Sequence, residues 1–163
     1  MKAKLIVEGN EFDIEILDPK LQKLIMPPKK TGYEKTDGQW YYVDMVGGVN
    51  MVSSSCMTGE QCYDLANYYS DKTVAENNAR ADKLMRQLRR FAVEHRVNNL
   101  NWDSDTQAKW MIEHNSDGLG MYESNNIRSC GTIYFDRLID AEAAIEKFRD
   151  ELVWYFTEYE DSL

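Results

Sequence analysis

Long apolar runs are missing from this chain. The longest, Leu152–Phe156, has five residues, against the roughly 20 needed to span a bilayer, so no membrane contact is expected. The opening MKAKLIVEGNEF breaks its apolar stretch at Glu8 after three residues, and no secretory leader is expected either. Cysteine is scarce and odd in number: Cys56, Cys62 and Cys130 show no tight pair, a pattern that fits reduced thiols in a cytosol better than a disulfide framework. Proline occurs three times, always between residues 19 and 28. Positive charge is outnumbered, 19 Lys and Arg against 28 Asp and Glu, for a net charge of −9. Such a balance argues against a general affinity for nucleic acid, which depends on cations neutralising phosphates, and is compatible with basic protein partners.

Reaction signatures are absent as well. There is no GxSxG, no phosphate-cradling glycine-rich loop and no HExxH. Cys56, Cys62, Cys130, His95 and His114 lack the spacing of a structural zinc site. Ser53-Ser54-Ser55-Cys56 with either histidine is a coincidence that any chain of this size offers. Asp103 and Asp105 with Glu113 carry too few oxygen ligands for a cation loop of the EF-hand kind, and turn or capping roles suit the aspartates better. No cofactor, no metal and no enzymatic activity are expected.

What the chain does have is a repeated pattern. The stretch Gly131 to Phe156 lies over Leu65 to Leu84 with a constant offset: Tyr134-Phe135 falls on Tyr68-Tyr69 and Ala141-Glu142 on Ala75-Glu76. The spacing predicts a duplicated unit in which a short apolar strand leads into an amphipathic helix. At 163 residues the chain has room for one well-buried core or two small units sharing one.

Residues Lys2 to Leu17 alternate about the polar turn Glu8-Gly9-Asn10-Glu11, with Ala3, Leu5, Val7, Phe12, Ile14 and Ile16 on one face, which predicts a β-hairpin. Asp18 before Pro19 starts a short helix over Pro19 to Ile25. Trp40 to Val43 and Val49 to Val52 around Gly47-Gly48 predict a second hairpin. Val74, Ala81, Leu84, Met85, Leu88, Phe91 and Ala92 form the apolar stripe of a long helix, capped by Ser70 or Asp71. Ala108 to Glu113 and Ile127 to Phe135 are expected as a third hairpin about a long polar loop. A second long helix, capped by Asp136 or Asp140, carries Ala141, Ala144, Ile145, Phe148, Leu152, Tyr155, Phe156 and Tyr159, with a kink near Arg149 left open. The fold class is therefore α+β. An N-terminal hairpin and short helix (1–30) precede a duplicated strand-strand-helix body (31–163, units 31–96 and 97–163), expected as an antiparallel sheet with both helices on one face.

Charge is unevenly spread. Asp71 to Arg96 holds seven cations against four anions, and Asp136 to Leu163 three against nine. Arg80, Lys83, Arg86 and Arg90 form a basic ridge opposite the apolar stripe, a solvated helix face or a contact for phosphates or an acidic partner. Tyr33, Trp40, Tyr41 and Tyr42 could stack on bases, although aromatics in strands are commonly core. Glu142, Glu146, Asp150, Glu151, Glu158, Glu160 and Asp161 form the acidic counterpart, either for solubility or standing in for DNA phosphates in a partner's basic groove.

The pattern Trp40-Tyr41-Tyr42-Val43, Gly48-Val49, Tyr63, Asn67-Tyr68-Tyr69, Ala75-Glu76, then Gly131-Thr132-Ile133-Tyr134-Phe135 with Ala141 to Ile145, resembles a family of small phage and prophage proteins of Gram-positive bacteria. The likeness runs from Gly32 to Tyr159 and consists of structural positions, with no catalytic motif. The loop Ser53 to Gly59 is more apolar than the family pattern, and no helix-breaking glycine stands near Arg149. The resemblance implies a protein of the host bacterial cytoplasm that binds a host protein or protein–nucleic acid complex. A stoichiometric inhibitor of host defence, of the anti-CRISPR kind acting on an effector nuclease, is one such protein. On that reading Glu142, Glu146, Glu151 and Glu158, with Arg80, Lys83, Arg86 and Arg90, form the partner surface. The alternative is a nucleic-acid-binding accessory protein of phage replication or transcription using the basic helix 71–96. Homodimerisation through the two helices stays open.

Overall fold

A computed structural model describes residues 2–7, 10–15, 17–18, 20, 30–53 and 58–159. It is an α+β fold. The elements run β1 (Lys2–Val7), β2 (Asn10–Glu15), β3 (Gln39–Val43), β4 (Val49–Ser53), α1 (Thr58–Asp64), α2 (Lys72–Glu94), β5 (Lys109–Asn115), β6 (Gly118–Ser124) and α3 (Leu138–Trp154), closed by a π-helical turn, Tyr155–Tyr159. The first hairpin keeps the alternation read from the sequence, with Ala3 opposite Ile14 and Leu5 opposite Phe12. The expected helix over Pro19 to Ile25 lies almost wholly outside the described residues.

The strands do not merge into one sheet. Among the described residues they form three separate antiparallel pairs, and the segments that lead into the helices meet the outer edges of β3 and β5. Tyr69 pairs with Tyr41 on β3, and Phe135 with Trp110 on β5, each through two backbone hydrogen bonds of 2.8–2.9 Å. On β3 the edge is further closed by Asn67. Its carboxamide accepts from Val43 N and donates to Val43 O, both at 2.8 Å, as a neighbouring peptide unit would. Tyr68 and Tyr134 are alike too. Both are buried, and each hydroxyl accepts from a backbone N–H, that of Thr36 at 2.9 Å and of Ser129 at 2.8 Å. The helices then begin 66 positions apart, at Lys72 and Leu138, with Ala75 and Ala141 both fully buried.

Two local expectations are corrected. The hairpin partner of β5 is Gly118–Ser124, and of the expected strand Ile127 to Phe135 only Phe135 meets β5, through its bridge to Trp110. The reason is the turn Asn115-Ser116-Asp117-Gly118, in which the Asn115 side chain accepts from Asp117 N at 2.9 Å and Gly118 takes φ +106°, a conformation glycine adopts at little cost. At the start of α3 neither aspartate caps the helix. The cap position is Arg137, without a side-chain cap, while Asp136 turns back to accept from Val97 N and Asn98 N and Asp140 pairs with Arg137 at 2.7 Å. By contrast Asp71 caps α2, accepting from Thr73 N and Val74 N, an arrangement contributing about 1 kcal/mol.

α2 packs against α3, and each also covers a hairpin: α2 covers β3 and β4, α3 covers β5 and β6. Leu84, Leu88, Phe91 and Ala92 of α2 meet Phe135 and Ala141, Ala144, Ile145 and Leu152 of α3 in the main core. The α3 stripe bends at Phe148, whose φ −114° and ψ 19° leave the helical region and turn its ring edge-on to Phe91, 5.8 Å away. A second aromatic cluster holds Trp40 stacked on Tyr68 at 4.6 Å. In the other half the place before the bridging residue belongs to Lys109, fully buried, whose ammonium donates to the carbonyls of Ser104, Gln107 and Asn125 and lies 5.3 Å from the Trp102 ring centre.

Candidate functional site

Helix periodicity sets which charges face outward. Within α2, Lys83, Arg86 and Arg90 fall within about 60° of one another around the axis, at 3.6 residues per turn, while Arg80 is turned toward α3. There the basic and acidic faces meet. Arg80 donates through Nε and Nη2 to both oxygens of Glu151, at 2.8 and 3.1 Å, and its guanidinium lies 3.9 Å from the Trp154 ring centre. The hydrogen bond from Arg80 holds the Glu151 carboxyl below the usual carboxylate range, and the same bond raises the guanidinium. These two residues are thus taken up by each other. Lys83 and Arg86 are exposed and form no ion pair among the described residues; Arg90 comes within 3.9 Å of Glu94. Glu142, Glu146 and Glu158 are exposed and likewise unpaired.

The aromatics singled out on β3 offer little. Trp40 is 3% exposed beneath Tyr68, and the Tyr33 hydroxyl accepts from Asn78 Nδ2 at 2.9 Å. Asn78 in turn accepts from the Tyr159 hydroxyl at 3.1 Å. Burial pushes the neighbouring Tyr69 phenol up to about 12. This chain borders a cleft of about 580 Å³ beside the start of α2. Glu34 lines it and accepts from Thr31 N, Thr31 Oγ1, Gly32 N and Ser70 Oγ at 2.6–3.1 Å. The Thr31 backbone bond leads in lowering its carboxyl to about 2.

At the other end of α2 lies a different concavity, also of about 580 Å³, lined by Arg89 and Arg96, by Asn99 and Trp102 of the following loop, and by Arg128 and Tyr134. Its walls are pinned from within. Asp136 holds Val97 and Asn98, Gln107 accepts from Asn101 N and donates to Asn99 O, and Tyr134 holds Ser129. Tyr134 meets the Trp102 ring edge-on at 4.8 Å, and the Arg128 guanidinium lies 5.5 Å from the Trp102 ring centre. Arg89, Arg96 and Arg128 form no ion pair among the described residues.

No family model, curated protein or solved structure matches the chain. Its own side chains carry the functional reading.

The residues considered for reaction chemistry stand apart. His95 shares its Nδ1 with the Phe91 carbonyl at 2.9 Å and stacks on that ring, while His114 stacks on Phe156. Asp105 accepts from Asn126. Among the described residues no three His, Cys, Asp or Glu side chains gather as a metal ligand set. Ser54, Ser55 and Cys56 lie outside the described residues, as do Glu160 and Asp161. The sequence reading passed over the arginine-lined concavity, because Arg96, Trp102 and Arg128 come from three stretches that only the fold brings together.

Proposed function

We propose that the protein is a non-enzymatic nucleic-acid-binding accessory protein that engages phosphates through α2. The observation carrying this reading is the division of labour among its cations. Arg80 is consumed by Glu151, whereas Lys83, Arg86 and Arg89 are exposed and form no ion pair among the described residues, and Arg90 is only loosely paired. Residues 83–96 hold five cations and one anion, so a local positive field persists on a chain of net charge −9. Given the resemblance to phage proteins, replication or transcription of a phage genome is the setting proposed.

The test is gel retardation of DNA and RNA by the purified chain over a salt series. Retardation that weakens with salt and is lost in R86E/R90E is expected; no retardation even at low salt would overturn the reading.

A second reading, inhibition of a host defence protein such as a CRISPR effector nuclease, is favoured by Glu142, Glu146 and Asp150. Glu142 and Glu146 stand exposed four residues apart, about 6 Å along the axis, and Asp150 is exposed beyond the bend at Phe148, an acidic set suited to a partner's basic groove. Recovery of one such nuclease from host lysate, lost in E142K/E146K, would establish it.

A further inference from the structure

We infer that the concavity at the carboxyl-terminal end of α2 is a site for single-stranded nucleic acid, in which Arg89, Arg96 and Arg128 hold backbone phosphate beside Trp102. The inference rests on the nucleic-acid reading above and adds to it where the strand is gripped and in what form.

Three guanidinium groups share one concave surface, and none forms an ion pair among the described residues. Like charges gathered on one concave surface repel one another, and their summed field falls on whatever anion enters. Arg128 adds geometry to charge. Its guanidinium lies over the Trp102 indole, an arrangement that leaves the in-plane N–H groups free to meet phosphate oxygens two at a time. Trp102 itself is held by its neighbours, since the Tyr134 ring lies nearly perpendicular to it at 4.8 Å and the Lys109 ammonium approaches it.

The form of the ligand follows from size and lining. A volume of about 580 Å³ has room for a nucleotide unit. Trp102 is half-buried, so part of its ring is open to contact with an unpaired base, a contact made irrespective of sequence. Asn99 lines the same recess with its carboxamide unpaired among the described residues, a donor and acceptor of the kind that meets an exposed base edge. The ridge of Lys83, Arg86 and Arg90 runs along α2 toward this end, so a strand seated on the ridge leads into the recess.

Fluorescence anisotropy on the full chain tests this with labelled oligothymidylate, oligouridylate and a duplex of equal length. Tighter binding of either single strand than of the duplex is expected, the two strands separating DNA from RNA as the source. R89Q/R96Q/R128Q should flatten the slope of log affinity against log salt by about 2, three phosphate contacts at roughly 0.7 each. W102L should weaken single-strand binding about tenfold, with circular dichroism checking that each variant folds.

Four outcomes separate the possibilities. Loss of the single-strand preference in the recess variants, with that preference kept in K83Q/R86Q while overall affinity falls, supports the recess. Duplex binding as tight as single-strand binding, with the triple arginine variant unchanged, overturns it while leaving the ridge reading standing. Tighter binding of a free mononucleotide than of the oligomer also overturns it. No binding of any probe at low salt removes both readings.

Discussion

Arg80 and Glu151, 71 positions apart in the chain, meet side-on with both carboxylate oxygens engaged, over the face of Trp154. One contact ties the first long helix to the second. It also removes one cation and one anion from the two charged faces, leaving the rest of each available to partners.

Breaking this contact should cost little in absolute terms. Both side chains are about two-fifths exposed, and pairs in that setting contribute roughly 0.5–1 kcal/mol after screening. E151Q is expected to lose about that much and R80Q about 1–1.5 kcal/mol, because the stacking on Trp154 goes with it. Urea denaturation of both single variants and the double variant checks this through the coupling term. The pH dependence has a definite sign. Glu151 has a depressed carboxyl in the folded protein, so its contribution is present above the ordinary carboxylate pKa and is lost as pH falls through the lowered one. E151Q should therefore narrow its deficit in acid.

Glu34 gives a second acid-range expectation. Its carboxyl lies at about 2 when folded, held down first by the Thr31 backbone hydrogen bond. A group depressed in this way stabilises the fold above its unfolded pKa and loses that effect as pH drops toward 2. Carboxyl resonances followed by NMR should show Glu34 titrating well below the other glutamates, and E34Q should flatten the stability profile between its unfolded pKa and pH 2.

Lys109 is expected to be the least replaceable polar side chain of the second half. Three backbone carbonyls accept from its ammonium, and K109M would remove that shared donor from the fully buried Lys109 position. A loss of about 3 kcal/mol is expected, read as a lower urea midpoint at unchanged slope. K109M should also loosen Trp102, visible as a shift in tryptophan emission.

Gly32 admits no side chain. It sits at φ +85°, and a Cβ there would come within 2.6 Å of Val74 Cγ2. G32A should cost about 2–3 kcal/mol. G32A/V74A should recover the part due to overlap and retain about 1 kcal/mol of backbone strain. Thermal melts of the three variants decide between the two causes.

The α+β class, the matched aromatic pairs and the apolar stripes of both helices were legible in the sequence because they rest on periodicity and repetition. Tyr68-Tyr69 and Tyr134-Phe135 occupy matching places 66 positions apart. The β5 to β6 turn was legible too, in Asn115-Ser116-Asp117-Gly118, but the longer apolar segment Ile127 to Phe135 drew the strand away from it. Other features could not be read along the chain. Lys109 stands where a core residue belongs, and its three carbonyl partners come from loops. Asp136 caps a loop from 38 or 39 residues away and not its own helix. The arginine recess depends on tertiary closure of three stretches, none of which carries a motif alone.

The wide turn Tyr155–Tyr159 winds more slowly than the α-helix it ends, and this is what aims the Tyr159 hydroxyl at Asn78. A single-residue deletion that restored ordinary winding would swing the ring by about 100° and part it from Asn78. The tail of the second helix is therefore a length gauge: it tolerates exchange of side chains more readily than any change in the number of residues between Leu152 and Tyr159.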